Sequence, residues 1–203
     1  MKVCLLYVGL ATQSFRKHQL SSKSKLKMTY ATNFSNSVPN HLKFLHQSFE
    51  NLSVYCSIGT EEPGDLKEFQ KVYSGTNSSC IHMNTTHKKE KVLKGFELLP
   101  NECEFVIITR PDIEFKFKVF DFLNFTSFNL VSRLKEGWAI DDNFYAFPVK
   151  FRKTFEANYK KLPTRFPLYH TVRLLDNMTI HFMKNEQKPV RDLSFFKIVR
   201  IIQ

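Results

Sequence analysis

Apolar strand-like segments alternate with amphipathic helical segments along the first half of the chain, and this order constrains the fold more than any other feature. Continuous apolar runs predict strands over 3–10, 53–58, 80–83 and 105–109. Apolar residues at three- and four-residue spacing predict helices over 38–52, 66–73 and 88–99. Each crossover helix must bury its apolar stripe on the sheet. We therefore expect an α/β fold, with a mostly parallel central sheet flanked by helices on both faces.

The rest of the chain is expected to continue the same domain. Its patterns predict a helix-like segment over 117–123, a strand over 129–133 and a helix over 150–162. A length of 203 residues suits one hydrophobic core, so we predict a single domain over 1–203. The polar segment 12–29 is expected to be a loop, and loops after buried strands are where α/β proteins bind ligands.

The net charge of +11 predicts an anionic ligand without specifying it, because phosphates on nucleotides, nucleic acids and membranes are all attracted. Lysines interleaved with aromatic residues also fit a module that binds single-stranded nucleic acid. No zinc-finger, RNP-like or helix-turn-helix signature accompanies them, so nucleic acid is not the expected partner. The basic segment 184–200 either closes over a diphosphate, binds another polyanion or forms a solvated amphipathic end.

The cysteines and apolar runs bear on the cellular compartment. The paired spacing of a zinc site or redox motif is absent, so we expect reduced core thiols at Cys4, Cys56, Cys80 and Cys103. Disulfides are the alternative if the protein is secreted, and their connectivity does not follow from the sequence. The apolar run over 3–11 is too short for a signal peptide, and no run reaches the length of a membrane span. We attribute the Asn-X-Ser/Thr sequons to an Asn-rich composition. The expectation is a soluble, cytoplasmic protein.

The first candidate site is Thr109-Arg110-Pro111-Asp112, which directly follows the apolar run 105–109. Ligands of α/β proteins bind beyond the carboxyl ends of parallel strands. Side chains two residues apart share a face of an extended chain, so Arg110 and Asp112 are expected to lie together. An arginine pairs with a diphosphate bidentately, and an aspartate holds a divalent cation. The segment is therefore either a diphosphate–metal site or a surface ion pair at a strand end.

The second candidate site is the acid pair in Asp141-Asp142-Asn143-Phe144-Tyr145. Adjacent carboxylates repel each other, and the pair is tolerated where a cation, a helix N-terminus or a substrate hydroxyl shares the charge. Such an arrangement suits a general base. A solvated turn that caps a short helix is the alternative.

The order of the first strand, the T-R-P-D strand end and the D-D-N-F-Y segment resembles a group of small GT-A-like glycosyltransferases, over most of residues 1–185. In that group an R-x-D element replaces the usual D-x-D, and a D-D-x-F-aromatic element follows. The resemblance implies a GT-A-like, Rossmann-like sheet. It implies that Asp112 contacts a divalent cation, Mn²⁺ or Mg²⁺, and the donor diphosphate, while Arg110 supplements or replaces the first acid. Asp141 or Asp142 would deprotonate the acceptor, with Asp142 favoured because it lies nearer the expected helix start.

The same resemblance extends to three further residues. The segment GLATQSFRKH is similar to the donor-binding start of the group, where Gly9 faces the nucleoside and Arg16 approaches the diphosphate. An ordinary basic loop is the alternative. His181 resembles a metal-ligating histidine near the C-terminus of some GT-A enzymes, although a histidine on an apolar strand also suits the core.

The function that follows is transfer of a hexose or related sugar from a nucleoside diphosphate sugar to a hydroxyl of a glycan or glycoprotein. The cation and Arg110 would stabilise the departing diphosphate, and the acid pair would accept the proton. Two other functions stay open. One is the nucleic-acid-binding module, and the other is a degenerate transferase-like domain that only mediates interactions and binds no donor.

Overall fold

The computed structural model describes most of the chain, namely residues 1–10, 12–19, 27–33, 38–59, 66–67, 70–71, 77–85, 87–111, 113–115, 119–131, 144–161, 178–183, 196–198 and 201–202. Its strands are β1 Val3–Leu10, β2 Thr12–Gln19, β3 Lys27–Asn33, β4 Leu52–Gly59, β5 Asn77–His82, β6 Phe105–Thr109, β7 Ile113–Phe115, β8 Phe128–Leu130, β9 Phe144–Pro148, β10 Ile180–Phe182, β11 Phe196–Ile198 and β12 Ile201–Ile202. Its helices are α1 Val38–Ser48, α2 Lys88–Leu98 and α3 Arg152–Lys161, with short 3-10 turns at Val119–Phe122 and Val149–Phe151. Residues 66–67 and 70–71 are also helical, within the expected 66–73 segment.

A seven-stranded mixed sheet in the order β10-β8-β9-β6-β1-β4-β5 forms the centre of the protein. β1 pairs in parallel with β4 and with β6, and further parallel pairs join β4 to β5 and β8 to β10. β9 pairs antiparallel with both β6 and β8. The predicted mostly parallel sheet is confirmed, and β9 is its one reversed strand among the described residues.

Both faces of the sheet are covered, which explains why its inner strands are apolar along their whole length. Alternate residues of β1 point to opposite faces. Val3, Leu5 and Tyr7 join the cluster that contains Phe49, which follows α1, and Phe115 of β7. Cys4, Leu6 and Val8 join the cluster that contains Phe96 of α2 and Phe155 of α3. The expected helix–sheet–helix layering is thus present.

Helix α2 lies unusually close to β1, and Gly95 makes this possible. A Cβ atom placed on Gly95 would lie 2.7 and 2.8 Å from the two methyl carbons of Leu6. Optimal carbon–carbon separations are about 3.5–4.0 Å. Any larger side chain at Gly95 therefore has to push the helix or Leu6 away.

The expected loop over 12–29 is wrong. Two antiparallel strands, β2 and β3, occupy its described residues, and β12 pairs with the outer side of β3. Their sequences, TQSFRKHQ and KMTYATN, lack a clear apolar alternation. The two strands satisfy each other's backbone hydrogen bonds instead of depending on burial in the central sheet.

The expected helix start after Asp142 is also wrong, since the chain enters strand β9 at Phe144. Residues 144–147 are fully buried between β6 and β8. This burial of a short apolar run on both faces favours a central strand over a helix.

The prediction that the cysteines are reduced is correct for two of the four and wrong for the other two. Cys56 and Cys80 face each other in the parallel pair of β4 and β5, their Cα atoms are 4.4 Å apart, and they form a disulfide. Cys4 and Cys103 are free and buried. The prediction was wrong for the first pair because a sequence does not disclose the register between two strands.

Candidate functional site

The carboxyl ends of the parallel strands meet along one edge of the sheet, here called the carboxyl edge. It is defined by Gly9 of β1, Ile58 of β4, His82 of β5 and Thr109 of β6, which the strand registers bring level with one another to within two residues. Helix α2 begins at this edge because it follows β5 and returns to the start of β6. Side chains in its first turn are therefore carried to the ends of the strands.

Gly9 and the Arg110-Pro111 turn lie together at the carboxyl edge. Gly9 has φ +150°, a backbone conformation that L side chains rarely adopt. A Cβ atom at this position would lie 3.5 Å from Cδ of Pro111 and 3.8 Å from Cγ of Arg110. Gly9 thus lies beside the residues that follow β6. These two sequence-predicted site residues, Gly9 and Arg110, are neighbours in space.

Lys91 in the first turn of α2 reaches the same place. Its side chain is 2% exposed, and its Nζ donates a hydrogen bond to the carbonyl oxygen of Gly9 at 3.2 Å. A buried ammonium is costly to desolvate, so lysine is rarely found inside a protein without a specific role. Lys91 and the half-buried Arg110 place two cationic residues beside one glycine at the end of the central strand.

The acids of both motifs, Asp112, Asp141 and Asp142, lie outside the described residues. Their chain neighbours are described. Thr109, at the end of β6, pairs with Phe144, at the start of β9. Because β9 runs antiparallel, the chain enters it at the carboxyl edge. Further along, β11 pairs antiparallel with β7, so part of the basic C-terminal segment runs beside the strand that follows Asp112.

Arg16 and His181 are not brought to Gly9 by the described structure. Arg16 lies in β2 opposite Tyr30, outside the central sheet. The structure describes its backbone but not its side chain. His181 lies in β10, three strands from β6, which corresponds to about 14 Å at normal strand spacing. Its Nε2 lies 3.1 Å from the carbonyl oxygen of Phe122, to which it donates. The roles assigned to both residues stay predictions.

Several groups with shifted pKa values lie at the opposite edge, away from this site. A hydrogen bond between Lys2 and Glu102 raises the pKa of the lysine and lowers the pKa of the carboxyl. A hydrogen bond between the thiols of Cys4 and Cys103 raises the pKa of Cys4 and lowers that of Cys103, and burial further raises the pKa of Cys4. These contacts join the start of β1 to the residues before β6, and we interpret them as structural.

The described residues contain no group of three or more histidine, cysteine, aspartate or glutamate side chains able to hold a metal ion. Those described residues do not include Asp112, Asp141 or Asp142. Within the same residues, none of the helices is long and apolar enough to cross a membrane.

Comparison with solved structures defines the fold. A 4-diphosphocytidyl-2C-methyl-D-erythritol synthase from Anaerococcus prevotii matches with TM-score 0.53 and 13% identity, over 89% of this chain and 86% of that one. Drosophila β-1,4-galactosyltransferase 7, solved as a mutant with manganese, UDP-Gal and xylobiose, matches with TM-score 0.53 and 8% identity, over 98% and 71% of the two chains. A nucleotidyl transfer enzyme from Methanothermobacter matches with TM-score 0.51 and 10% identity, over 94% and 87%.

The chain has a GT-A-like fold. Two of these three proteins are named as transferases and one as a synthase, and identities this low establish the shared fold alone. No protein-family model and no curated protein sequence matches the chain significantly. In a GT-A-like sheet, the carboxyl edge where Gly9, Lys91 and Arg110 meet is where the general rule for α/β proteins locates the ligand.

Lys91 is the residue that the sequence analysis missed. A signal for it exists in the helix pattern, because Lys91 precedes Gly95 by one helical turn and lies next to Val92 on the inward stripe. Lysines on helices usually face solvent, and for that reason Lys91 was not predicted as a site residue.

Proposed function

We propose that the protein transfers a sugar from a nucleoside diphosphate sugar to a hydroxyl group of a glycan or glycoprotein. One observation carries the proposal: Gly9, at the carboxyl end of β1 in a GT-A-like sheet, accepts a hydrogen bond from Lys91 and lies beside Arg110. Two cationic side chains at this position suit the two phosphates of such a donor, and arginine adds bidentate geometry.

In the proposed reaction, the acceptor oxygen gives its proton to a carboxylate and bonds to the anomeric carbon. The bond from that carbon to the diphosphate oxygen breaks, and the nucleoside diphosphate leaves. Negative charge grows on the diphosphate during this step, so fixed cations at Lys91 and Arg110 lower the barrier. Direct displacement of this kind inverts the anomeric carbon.

We assign the role of base to Asp142 or its neighbour Asp141. The support is the position of Phe144, which pairs with Thr109 at the carboxyl edge. Asp142 is two residues earlier, so its Cα lies at most about 7.6 Å from that of Phe144. The assignment of the base rests on this short chain connection.

Asp112 is assigned to a divalent cation, Mn²⁺ or Mg²⁺, whose chemistry when bound is to neutralise charge on the phosphates. The fit rests on the oxygen ligands that both metals prefer and on the neighbours of Asp112. Pro111 is buried against Gly9, and Ile113 is fully buried in β7. Gly9 and Arg16 keep their predicted roles as donor contacts. His181 is left out of the proposed metal site, because it lies three strands from β6 and is hydrogen-bonded to the carbonyl oxygen of Phe122.

Donor binding is tested by a thermal-shift screen of UDP-, GDP-, CDP- and ADP-sugars with and without MnCl2. Binding at a hundred times Kd stabilises the native state by about 2.7 kcal/mol, which raises Tm. Lys91→Met should weaken the binding of the best donor about 10- to 100-fold, because a hydrogen bond to a charged group contributes about 1.5–3 kcal/mol. Lys94→Met is the matched control, since Lys94 lies on the exposed side of the same helix, paired with Glu97. Equal affinity in both variants contradicts the site.

Turnover is tested separately. Asp112→Asn should weaken donor binding that depends on the divalent cation, whereas Asp142→Asn should spare binding and abolish turnover. Unchanged turnover in both variants refutes the assignments. Release of pyrophosphate from a nucleoside triphosphate and a sugar phosphate, without glycosyl transfer, would identify the protein as a nucleotidyltransferase instead.

A further inference from the structure

A buried chain of polar side chains lies behind the Thr109–Ile113 turn. His41, in the first turn of α1, is 0% exposed, and its Nδ1 lies 2.6 Å from the hydroxyl oxygen of Tyr7, which is also 0% exposed. Its Nε2 is hydrogen-bonded to the carbonyl oxygen of Ile113. A carbonyl only accepts, so Nε2 carries the proton and Nδ1 accepts from the hydroxyl of Tyr7. The tautomer of His41 is therefore set by its two partners.

The residue before His41 continues the attachment. The side-chain amide of Asn40 donates to the carbonyl oxygen of Phe115 at 2.9 Å and accepts from the backbone N–H of Phe115 at 2.7 Å. The ring of Phe115 lies 4.8 Å from the ring of His41, between centroids. Strand β7 is thus bound to α1 at its first residue by His41 and at its last residue by Asn40.

Tyr7 connects both ends of the turn. Its backbone pairs with Thr109, the last residue of β6, and its hydroxyl reaches Ile113, the first residue of β7, through His41. Only Arg110, Pro111 and Asp112 lie between these two anchored residues. The hydrogen bonds therefore attach both ends of this segment, which carries two of the proposed ligand-binding residues, to Tyr7.

We propose that Tyr7, His41 and Asn40 are positioning residues that hold Arg110 and Asp112 in the geometry needed for the donor diphosphate. The inference rests on the proposed function. Burial of a tyrosine hydroxyl and an imidazole is unfavourable unless both are hydrogen-bonded. Apolar residues form the rest of the core on this face of the sheet and need no hydrogen-bond partners. Orientation of the turn explains the presence of polar groups here, as supporting residues orient the groups that bind a metal or ligand.

The test uses the whole protein, with UDP and MnCl2 as the probe. Tyr7→Phe keeps the shape of the side chain and removes one hydrogen bond. His41→Leu removes both bonds of the imidazole, and His41→Gln retains a donor and an acceptor. Loss of a supporting residue lowers metal affinity or activity about 10- to 100-fold. We expect Tyr7→Phe and His41→Leu to weaken UDP binding within this range, and His41→Gln to recover part of it.

Backbone hydrogen exchange separates positioning from general destabilisation. In Tyr7→Phe the amides of Ile113 and Phe115 should exchange faster, while those of Val54 and Cys56 in β4 stay protected. Unchanged UDP affinity in His41→Leu overturns the inference, as does equal weakening in His41→Gln and His41→Leu. Failure of the wild-type protein to bind UDP removes the proposed donor. In that case hydrogen exchange in Tyr7→Phe tests the positioning role without a ligand. Faster exchange of the Ile113 and Phe115 amides supports the role, and unchanged exchange overturns it.

Discussion

Because Gly95 lies against Leu6, we expect Gly95→Ala to destabilise the protein, whereas glycine-to-alanine changes within helices usually stabilise. In an exposed helix interior, replacing glycine by alanine gains about 1 kcal/mol. In Gly95→Ala the new methyl group would lie 2.7–2.8 Å from both methyl carbons of Leu6, which is 0% exposed and cannot move into solvent. Overpacking of a filled core costs about 1–3 kcal/mol. We expect a net destabilisation of about 1 kcal/mol, measured as a lower urea midpoint at unchanged slope.

Testing Gly95→Ala in the Leu6→Ala variant separates the cost of overpacking from the gain in helix propensity. Leu6→Ala alone should cost about 2–5 kcal/mol, because it leaves a cavity between β1 and α2. Within that variant, Gly95→Ala meets no methyl group, so only the gain in helix propensity remains and the change should be stabilising. The double-mutant cycle should therefore give a coupling free energy of about 1–3 kcal/mol. An increase in stability from Gly95→Ala in the wild-type background refutes the close approach.

The same change should affect the site, because Lys91 lies one turn from Gly95 on the same face of α2. A helix displaced from β1 carries the ammonium of Lys91 away from the carbonyl oxygen of Gly9. Gly95→Ala should thus weaken UDP binding as well as stability. UDP binding should be weaker in the single variant Gly95→Ala but not in the double variant that also carries Leu6→Ala. This difference would show that displacement of the helix causes the weaker binding.

Two further predictions concern stability. Asn129 is 0% exposed and bonds three backbone carbonyls and one backbone N–H, so Asn129→Leu should destabilise the protein by about 3 kcal/mol or more, seen as a lower denaturation midpoint. After unfolding without reductant, Ellman's reagent should detect Cys4 and Cys103 alone, and four reactive thiols would contradict the disulfide. Reduction of Cys56–Cys80, 24 residues apart in sequence, should lower stability by about 3 kcal/mol.

The central layers of the fold could be predicted from the sequence because burial on both faces leaves a strong signal. β6 was predicted at its observed bounds, Phe105–Thr109, since all five residues are buried and apolar. α2 was predicted to within one residue at its end because its inward stripe recurs at helical spacing. β2 and β3 were missed because their order comes from pairing with each other, which a polar sequence does not reveal.

The site was predictable in part for the same reason. Arg110 and Gly9 follow or end apolar strands, and the ends of parallel strands meet at one edge. Lys91 required the close packing of α2 on β1, and the disulfide required the register of β4 against β5. Those two features are set by tertiary contacts, which no local pattern in the chain records.

Paramagnetic broadening by Mn²⁺ bound with UDP tests most directly whether one donor sits at the carboxyl edge. With a donor at this edge, the backbone amide signals of Gly9, Arg110 and Phe144 should broaden when MnCl2 and UDP are added together. The signal of Val3, about 20 Å from Gly9 along β1, should persist, because strands rise about 3.3 Å per residue. Broadening centred on Val3 and Phe105, or no broadening at Gly9 and Phe144 with UDP bound, would show that the donor does not bind at the carboxyl edge.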